Sequence, residues 1–63
     1  MRKQEADQYA GRKIKLILIN NFHYTGDVIS ISEDTLTIKD KFKNNVSIRL
    51  QDIMVCEEIS NGN

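Results

Sequence analysis

Apolar and polar residues alternate in several short segments of this chain, and that period of two limits the fold more than any other feature. In residues 13–18, apolar side chains stand at positions 14, 16 and 18. Successive side chains of a β-strand point to opposite faces, so these three would share one face. The same alternation returns in residues 35–39 and 46–50. A helix would need spacings of three and four, so these segments predict strands.

Turn residues between the apolar segments divide the chain further. Asn20-Asn21 and Asn44-Asn45 can supply the left-handed conformations that tight turns need. With a short polar turn after Ser32 and a tight connection at Gln51-Asp52, the sequence predicts five strands, at residues 13–19, 22–32, 35–39, 46–50 and 53–59.

The second of these strands is long and carries a glycine near its middle. Gly26 would weaken a strand unless the backbone bends sharply or another chain approaches closely. Beyond it the apolar positions change parity, from Val28 to Ile29 and Ile31. This change indicates a bent strand that crosses from one side of a small barrel to the other.

The two ends of the chain differ from this middle part. Residues 1–10 favour helix but have few apolar anchors, so they predict either a short helix or a flexible leader, with Gly11 just past a helix end. Residues 60–63 are expected to form a disordered tail. Residues 11–59 are therefore predicted to fold as an all-β domain, a small, strongly bent five-stranded barrel of the SH3-like type.

A chain of 63 residues makes one domain with a small core. Domains of this size usually gain stability from disulfides, a metal or self-association. Cys56 is the only cysteine and His23 the only histidine, so the chain alone forms neither a disulfide nor a tetrahedral zinc site. We therefore expect no metal or cofactor, and we predict a homo-oligomer.

Charge and hydropathy narrow the classes of partner. Nine basic and nine acidic residues give no net charge, whereas proteins that grip duplex nucleic acid are usually basic. No apolar run approaches the roughly 20 residues of a membrane-spanning helix, and no apolar signal core follows the first residues. We expect a cytoplasmic protein without a membrane partner, and a single unpaired cysteine is compatible with that compartment.

Four segments, in this order and spacing, resemble the Sm/LSm family, including its bacterial Hfq branch. Gly11-Arg12-Lys13-Ile14 and Ile19-Asn20-Asn21 are similar to the opening of the family's fold, and Tyr24-Thr25-Gly26-Asp27-Val28 to its bent strand. Ile48-Arg49-Leu50-Gln51-Asp52-Ile53 resembles the second Sm motif. The resemblance covers about fifty residues, and it implies a homo-oligomeric ring that binds single-stranded RNA. The fourth and fifth strands would pair between subunits.

The resemblance also implies a base-binding pocket between the turns at residues 32–35 and 49–52. Arg49 would line the central pore, where a guanidinium can stack on a base or hydrogen-bond its edge. Ser32, Asp34, Thr35 and Asp52 would complete the pocket. The chain departs from the family here, because the first turn lacks the family's Asn and its stacking side chain, and Leu50 and Asp52 replace a Gly and an Asn. An outward-facing Arg49 and an ordinary solvated turn are the structural alternatives.

Two further residues are candidates for contact with RNA. Phe42 lies between Lys41 and Lys43, and an aromatic ring with cationic neighbours suits single-stranded nucleic acid. It equally suits a hairpin tip whose ring folds back on the barrel. His23 is expected on the face opposite Phe22 and Tyr24, where it would either stack on RNA or remain a half-exposed strand residue.

Catalysis has little support in the sequence, because His23 and Cys56 lie on distant strands and no phosphate-binding glycine loop is present. We expect no enzyme. The main prediction is a ring that binds single-stranded RNA. The first alternative is a barrel that serves protein interaction or assembly without binding nucleic acid, and the second is a DNA-associated SH3-like barrel.

Overall fold

The computed structural model describes residues 1–59, and the tail predicted at residues 60–63 lies outside the described residues. The chain is mostly antiparallel β-sheet with one short helix, which confirms the all-β prediction. No helix of the described residues is long and apolar enough to cross a membrane. The elements are helix α1 (Lys3–Asp7) and strands β1 (Lys13–Leu18), β2 (His23–Ile31), β3 (Thr35–Lys39), β4 (Asn45–Arg49) and β5 (Ile53–Glu58), with a 3-10 helix at Leu50–Asp52 between the last two strands.

The five strands form a single sheet in the order β4-β3-β2-β1-β5. All pairs are antiparallel, and β5 returns to pair with β1 on the far side of the sheet from β4. In the described part of the chain no ladder of main-chain hydrogen bonds joins β4 to β5, so the sheet is open. The barrel was expected to be closed or nearly closed; within residues 1–59 closure between the edge strands is not observed, and the three-residue 3-10 helix connects them.

The core lies on one face of the sheet and takes alternate residues of the strands. Ile14, Leu16, Leu36 and Ile38 are completely buried, as the alternation in β1 and β3 predicts. Helix α1 contributes the buried Ala6 to the same cluster. The short helix is thus held by tertiary packing, which offsets the weak helix-forming tendency of an isolated five-residue segment.

A β-bulge in β2 explains the change of apolar parity after Gly26. Val28 pairs with Ile38 and Ser30 pairs with Thr37, so the β2 residue between them has no pairing partner on β3. That extra residue, Ile29, is exposed. Because the bulge shifts the parity, Val28 and Ile31 both pair with residues of the core face. The bulge thus accounts for the parity change, while residues 23–27 of β2 pair with β1 and residues 27–31 pair with β3.

Gly26 is required by a close approach within the chain. A Cβ atom added to Gly26 would lie 2.5 Å from the carbonyl oxygen of Lys39 and 2.9 Å from its carbonyl carbon. Both atoms belong to the backbone at the end of β3, so a side chain at position 26 has no room. The approaching segment belongs to the same chain, whereas the sequence suggested either a sharp bend or the approach of another chain.

Backbone conformation confirms one turn prediction and corrects two others. Asn21 has a positive φ angle of 69° in the tight hairpin, as expected. Gly11 also has a positive φ, of 74°, but it lies beyond the helix C-cap Gln8 rather than just past the helix end. In the turn between β3 and β4, Lys43 rather than Asn44 or Asn45 has a positive φ, of 65°. The carboxylate of Asp40 accepts backbone N–H bonds from Phe42 and Asn44, each at 2.9 Å, and thereby fixes a different turn.

Candidate nucleic-acid interface

The two turns predicted to flank a base pocket lie side by side. Thr35 pairs with Arg49 at the end of the β3–β4 ladder, and the backbone N–H of Leu50 donates to the carbonyl of Asp34 at 2.8 Å. A cleft of about 280 Å³ opens between the turns. We call it the Arg49 cleft, and it is lined by Met1, Glu33, Asp34, Arg49, Leu50 and Gln51.

Arg49 is exposed at the end of β4, and its guanidinium forms no ion pair within residues 1–59. The ion pairs of the described residues are Lys3 with Asp7 and Arg12 with Glu58, both at the surface. A guanidinium without a carboxylate partner keeps all its donors for a ligand. Arg49 is therefore available for stacking or for a hydrogen bond to a base edge.

Hydrogen bonds within the turn engage several of its polar groups. The carbonyl of Thr35 accepts two hydrogen bonds from Ser32, one from its backbone N–H at 2.8 Å and one from its side-chain hydroxyl at 3.3 Å. The hydroxyl of Thr35 donates to one carboxylate oxygen of Asp34 at 3.0 Å. Ser32 and Thr35 thus shape the turn but do not line the cleft, whereas Asp34 lines it.

Asp52 lies apart from the Arg49 cleft. Its carbonyl accepts the backbone N–H of Ile19 at 2.9 Å, which ties the 3-10 helix to the end of β1. The side chain is half-buried and does not line the cleft. Of the five residues expected in the pocket, the structure brings Arg49 and Asp34 together, with Ser32 and Thr35 supporting the turn.

The other two candidates share a second depression, about 550 Å³ in volume, which we call the lysine–aromatic groove. It lies between the first half of β2 and the turn after β3. Phe42 is 72% exposed, so its ring does not fold back on the sheet, and the Lys41 ammonium lies 5.3 Å from the ring centroid. The side chains that give the groove its character are Lys13, His23, Tyr24, Lys39, Lys41 and Phe42.

Sequence reasoning missed Lys13, Lys39 and Tyr24 as members of this groove. The signal that could have found the two lysines is strand register, because Asp27 pairs with Lys13 on one side and with Lys39 on the other. Register depends on the bulge in β2 and on the turn geometry, neither of which the residue pattern shows directly.

Cys56 is half-buried on β5, and its surroundings disfavour the thiolate. Burial, with a smaller contribution from the Glu57 carboxylate, raises the pKa of the Cys56 thiol to about 11. The neutral thiol is therefore the form present at physiological pH, and it is a poor nucleophile.

Alkylation of Cys56 by iodoacetamide at pH 8 is expected to be roughly 100-fold slower in the native protein than in urea. With the raised pKa only about 0.1% of the thiol is ionised at that pH, against about 9% for a cysteine at its ordinary pKa of 9.0. Mass spectrometry of timed samples gives both rates. Equal rates in the native and the unfolded chain would contradict the stated environment of the thiol.

Two clefts at opposite ends of the β3–β4 pair thus hold the candidate residues. Comparison with known proteins adds no name to this geometry, because no protein-family model matches the chain and no curated protein is significantly similar to it.

Proposed function

We propose that this chain is an Sm-like subunit that assembles into a homo-oligomeric ring and binds single-stranded RNA through the Arg49 cleft. The observation that carries the proposal is the guanidinium of Arg49, which has no ion-pair partner within residues 1–59 and lies beside the turn at residues 32–35. Each subunit offers one small site, and repetition around the ring converts weak contacts into useful avidity.

The outer edge of β4 is suited to pairing with another strand. Hydrogen bonds between Leu50 and Asp34, and between Asp40 and Asn44, mark the two ends of the β3–β4 ladder. Bonded and non-bonded pairs alternate in an antiparallel ladder. The N–H and C=O groups of Asn45, Ser47 and Arg49 therefore point away from β3. They offer a further strand a row of donors and acceptors.

The outer edge of β5 offers a matching but different row. The N–H of Ile59 donates to the carbonyl of Lys13 at 2.8 Å, so by the same alternation Cys56 and Glu58 direct their backbone groups outwards. The Tyr9 hydroxyl donates to the carbonyl of Cys56 at 3.4 Å and so engages one of those groups. Glu58 pairs with Arg12, whereas Glu57 forms no ion pair within residues 1–59 and so complements Arg49 on the edge of β4.

Exposed apolar side chains also favour association near β5. Ile19, Phe22 and Met54 are each more than half exposed, and Ile19 is hydrogen-bonded to the 3-10 helix that precedes β5. Apolar groups at a strand edge gain free energy when a partner covers them, by roughly 25 cal/mol for each Å² removed from water. A neighbouring copy that pairs along β5 would cover part of this surface.

Proline at position 47 is expected to reduce the assembly to single chains without unfolding the sheet. The N–H of Ser47 points outwards, so Ser47→Pro removes no hydrogen bond of the β3–β4 ladder and blocks only an added strand. Native mass spectrometry measures the assembly, and circular dichroism checks the fold.

Ser47→Ala is the matched control for this test. It loses the contact between the hydroxyls of Ser47 and Thr37, 3.0 Å apart, but keeps the outward N–H, so the assembly should persist. A wild-type protein that remains a single chain at high concentration would overturn the ring.

Binding of wild-type protein to uridine-rich and adenine-rich oligonucleotides tests the RNA proposal directly. Fluorescence anisotropy at low salt should give dissociation constants well below millimolar, because several cleft sites act together. Affinity no better than millimolar for both oligonucleotides would end the RNA proposal.

A second candidate function is protein interaction or assembly without nucleic-acid binding. The charge of the Arg49 cleft favours it, since the carboxylates of Glu33 and Asp34 balance the Arg49 guanidinium and the Met1 ammonium and leave no net positive charge to attract phosphate. The neutral net charge of the chain favours it as well. An assembled ring without measurable RNA affinity would support this second function.

A further inference from the structure

We infer that the lysine–aromatic groove is a second nucleotide-binding site, which takes the phosphate and base of single-stranded RNA away from the Arg49 cleft. The inference rests on the proposed function. It assigns contacts with the phosphate backbone of the RNA to a separate surface, because the Arg49 cleft is poorly suited to make them. The ligand class is a nucleoside phosphate within a single strand.

The position of the groove follows from the unequal lengths of β2 and β3. The ladder between them begins at the pair Asp27–Lys39, so residues 23–26 of β2 extend beyond β3. The backbone N–H of Leu18 donates to the carbonyl of Phe22, and that of Val28 donates to the carbonyl of Arg12. These two bonds determine which residues of β2 are hydrogen-bonded to β1 and which are not. The backbone groups of His23 and Thr25 therefore face the groove rather than β1. They add donors and acceptors to its wall.

The groove has an excess of positive charge, although the chain as a whole has no net charge. Lys13 and Lys39 lie on either side of Asp27 in one cross-strand row, and Lys41 follows at the turn. None of the three lysines forms an ion pair within residues 1–59. Three ammonium groups face two carboxylates here, and one of those, Asp40, already accepts two backbone N–H bonds.

The Arg49 cleft has no such excess of positive charge, because the Arg49 guanidinium and the Met1 ammonium face the two carboxylates of Glu33 and Asp34. Lysine and arginine attract the phosphates of a nucleic acid and release its counterions. Of the two depressions, the groove is therefore the better place for the RNA backbone. The Arg49 cleft lies at the Thr35 end of β3 and the lysine–aromatic groove at the Lys39 end. At about 3.3 Å per residue these ends are roughly 13 Å apart, so the two sites are distinct.

A stacking surface adjoins these charges. The bonds from Phe42 and Asn44 to Asp40 hold the turn in one conformation with the phenyl ring in solvent. A base stacked on an exposed aromatic ring gains affinity with little regard to its identity. Lys41, 5.3 Å from the ring centroid, is placed to contact the phosphate of that same nucleotide. The volume of about 550 Å³ lies within the range of small-ligand sites.

Two variants test the groove, and a third is the matched control. Phe42→Leu keeps an apolar side chain without the aromatic face, and Lys41→Gln removes one charge. Each should lower the affinity for a ten-nucleotide uridine or adenine strand roughly tenfold. Lys41→Gln should also reduce the slope of log affinity against log salt by about 0.7. Lys43→Gln removes the same charge from the same turn without lining the groove, so it should change affinity less than twofold.

The outcomes separate the groove from the proposed function. If wild-type protein binds RNA and loses binding on Arg49→Ala, but both groove variants equal wild type or match Lys43→Gln, the groove inference is overturned and the proposed function stands. If wild-type protein binds no oligonucleotide, titration with adenosine and uridine 5′-monophosphates decides the groove alone. Amide chemical-shift changes confined to residues 23–27 and 39–42 would support it, and their absence at millimolar nucleotide would overturn it.

Discussion

Gly26→Ala is expected to destabilise the protein by about 2–3 kcal/mol, the range of a strongly overpacked site. The added methyl group would lie 2.5 Å from the carbonyl oxygen of Lys39, and no side-chain rotation can relieve a contact with backbone. Relief requires β2 to move away from the end of β3, which strains the ladder that begins at Asp27. A domain this small has only a few kcal/mol of stability to lose.

Urea unfolding followed by circular dichroism measures the effect of Gly26→Ala, with wild type and variant at equal protein concentration because association contributes to apparent stability. Gly11→Ala is the matched control. Gly11 has a φ of 74° and nothing within 4 Å of an added Cβ, so only the left-handed conformation is penalised, by about 1 kcal/mol. Equal losses in the two variants would mean that β2 and β3 do not approach as described.

Arg49→Ala is expected to lower the affinity for single-stranded RNA more than tenfold while leaving the assembly intact. A charge-assisted hydrogen bond or a stacking contact contributes about 1.5–3 kcal/mol at each site. Arg49 forms no ion pair within residues 1–59, so its removal should leave the fold unchanged. Loss of binding with an unchanged assembly mass would support the RNA-binding ring and exclude the purely structural alternative.

Two companions sharpen the Arg49 experiment. Arg49→Lys keeps the charge but loses the planar guanidinium, so an intermediate affinity is expected if stacking or bidentate contact matters. Lys43→Gln, which lines neither cleft, reports the effect of losing one positive charge elsewhere. If Arg49→Ala binds RNA as tightly as Lys43→Gln does, Arg49 is an ordinary surface residue and the assigned site is wrong.

The pattern of the sequence predicts some strands better than others, for reasons seen in particular residues. The third strand, Thr35–Lys39, was predicted with its observed limits because its alternation is undisturbed from end to end. In β1 the alternation correctly placed Ile14, Leu16 and Leu18 in the core, although Ile19 lies outside the strand and is exposed.

Features that depend on how segments meet could not be read from the pattern. The bulge at Ile29 looks in the sequence like a change of face, and the open sheet looks like any other set of five short strands. The Asp40 carboxylate, rather than an asparagine backbone, determines the turn after β3.

The candidate site divides in the same way. The adjacency of Asp34 and Arg49 follows from the register of the β3–β4 hairpin, and their contact with RNA stays a prediction. Asp52 does not line the same cleft, and its carbonyl accepts the backbone N–H of Ile19 instead. The meeting of His23, Phe42 and three lysines needs three strands in register, which no single segment encodes.

The unlike outer edges of the sheet have a consequence for how copies of the chain would join. An edge that carries Arg49 matched to an edge that carries two glutamates gives head-to-tail contact, and every added copy again exposes one edge of each kind. Growth ends only when the rotation between neighbours divides a full turn evenly; any other angle yields an open filament. The angle between β4 and β5, set by three residues of 3-10 helix, would then decide between a closed particle and a fibre.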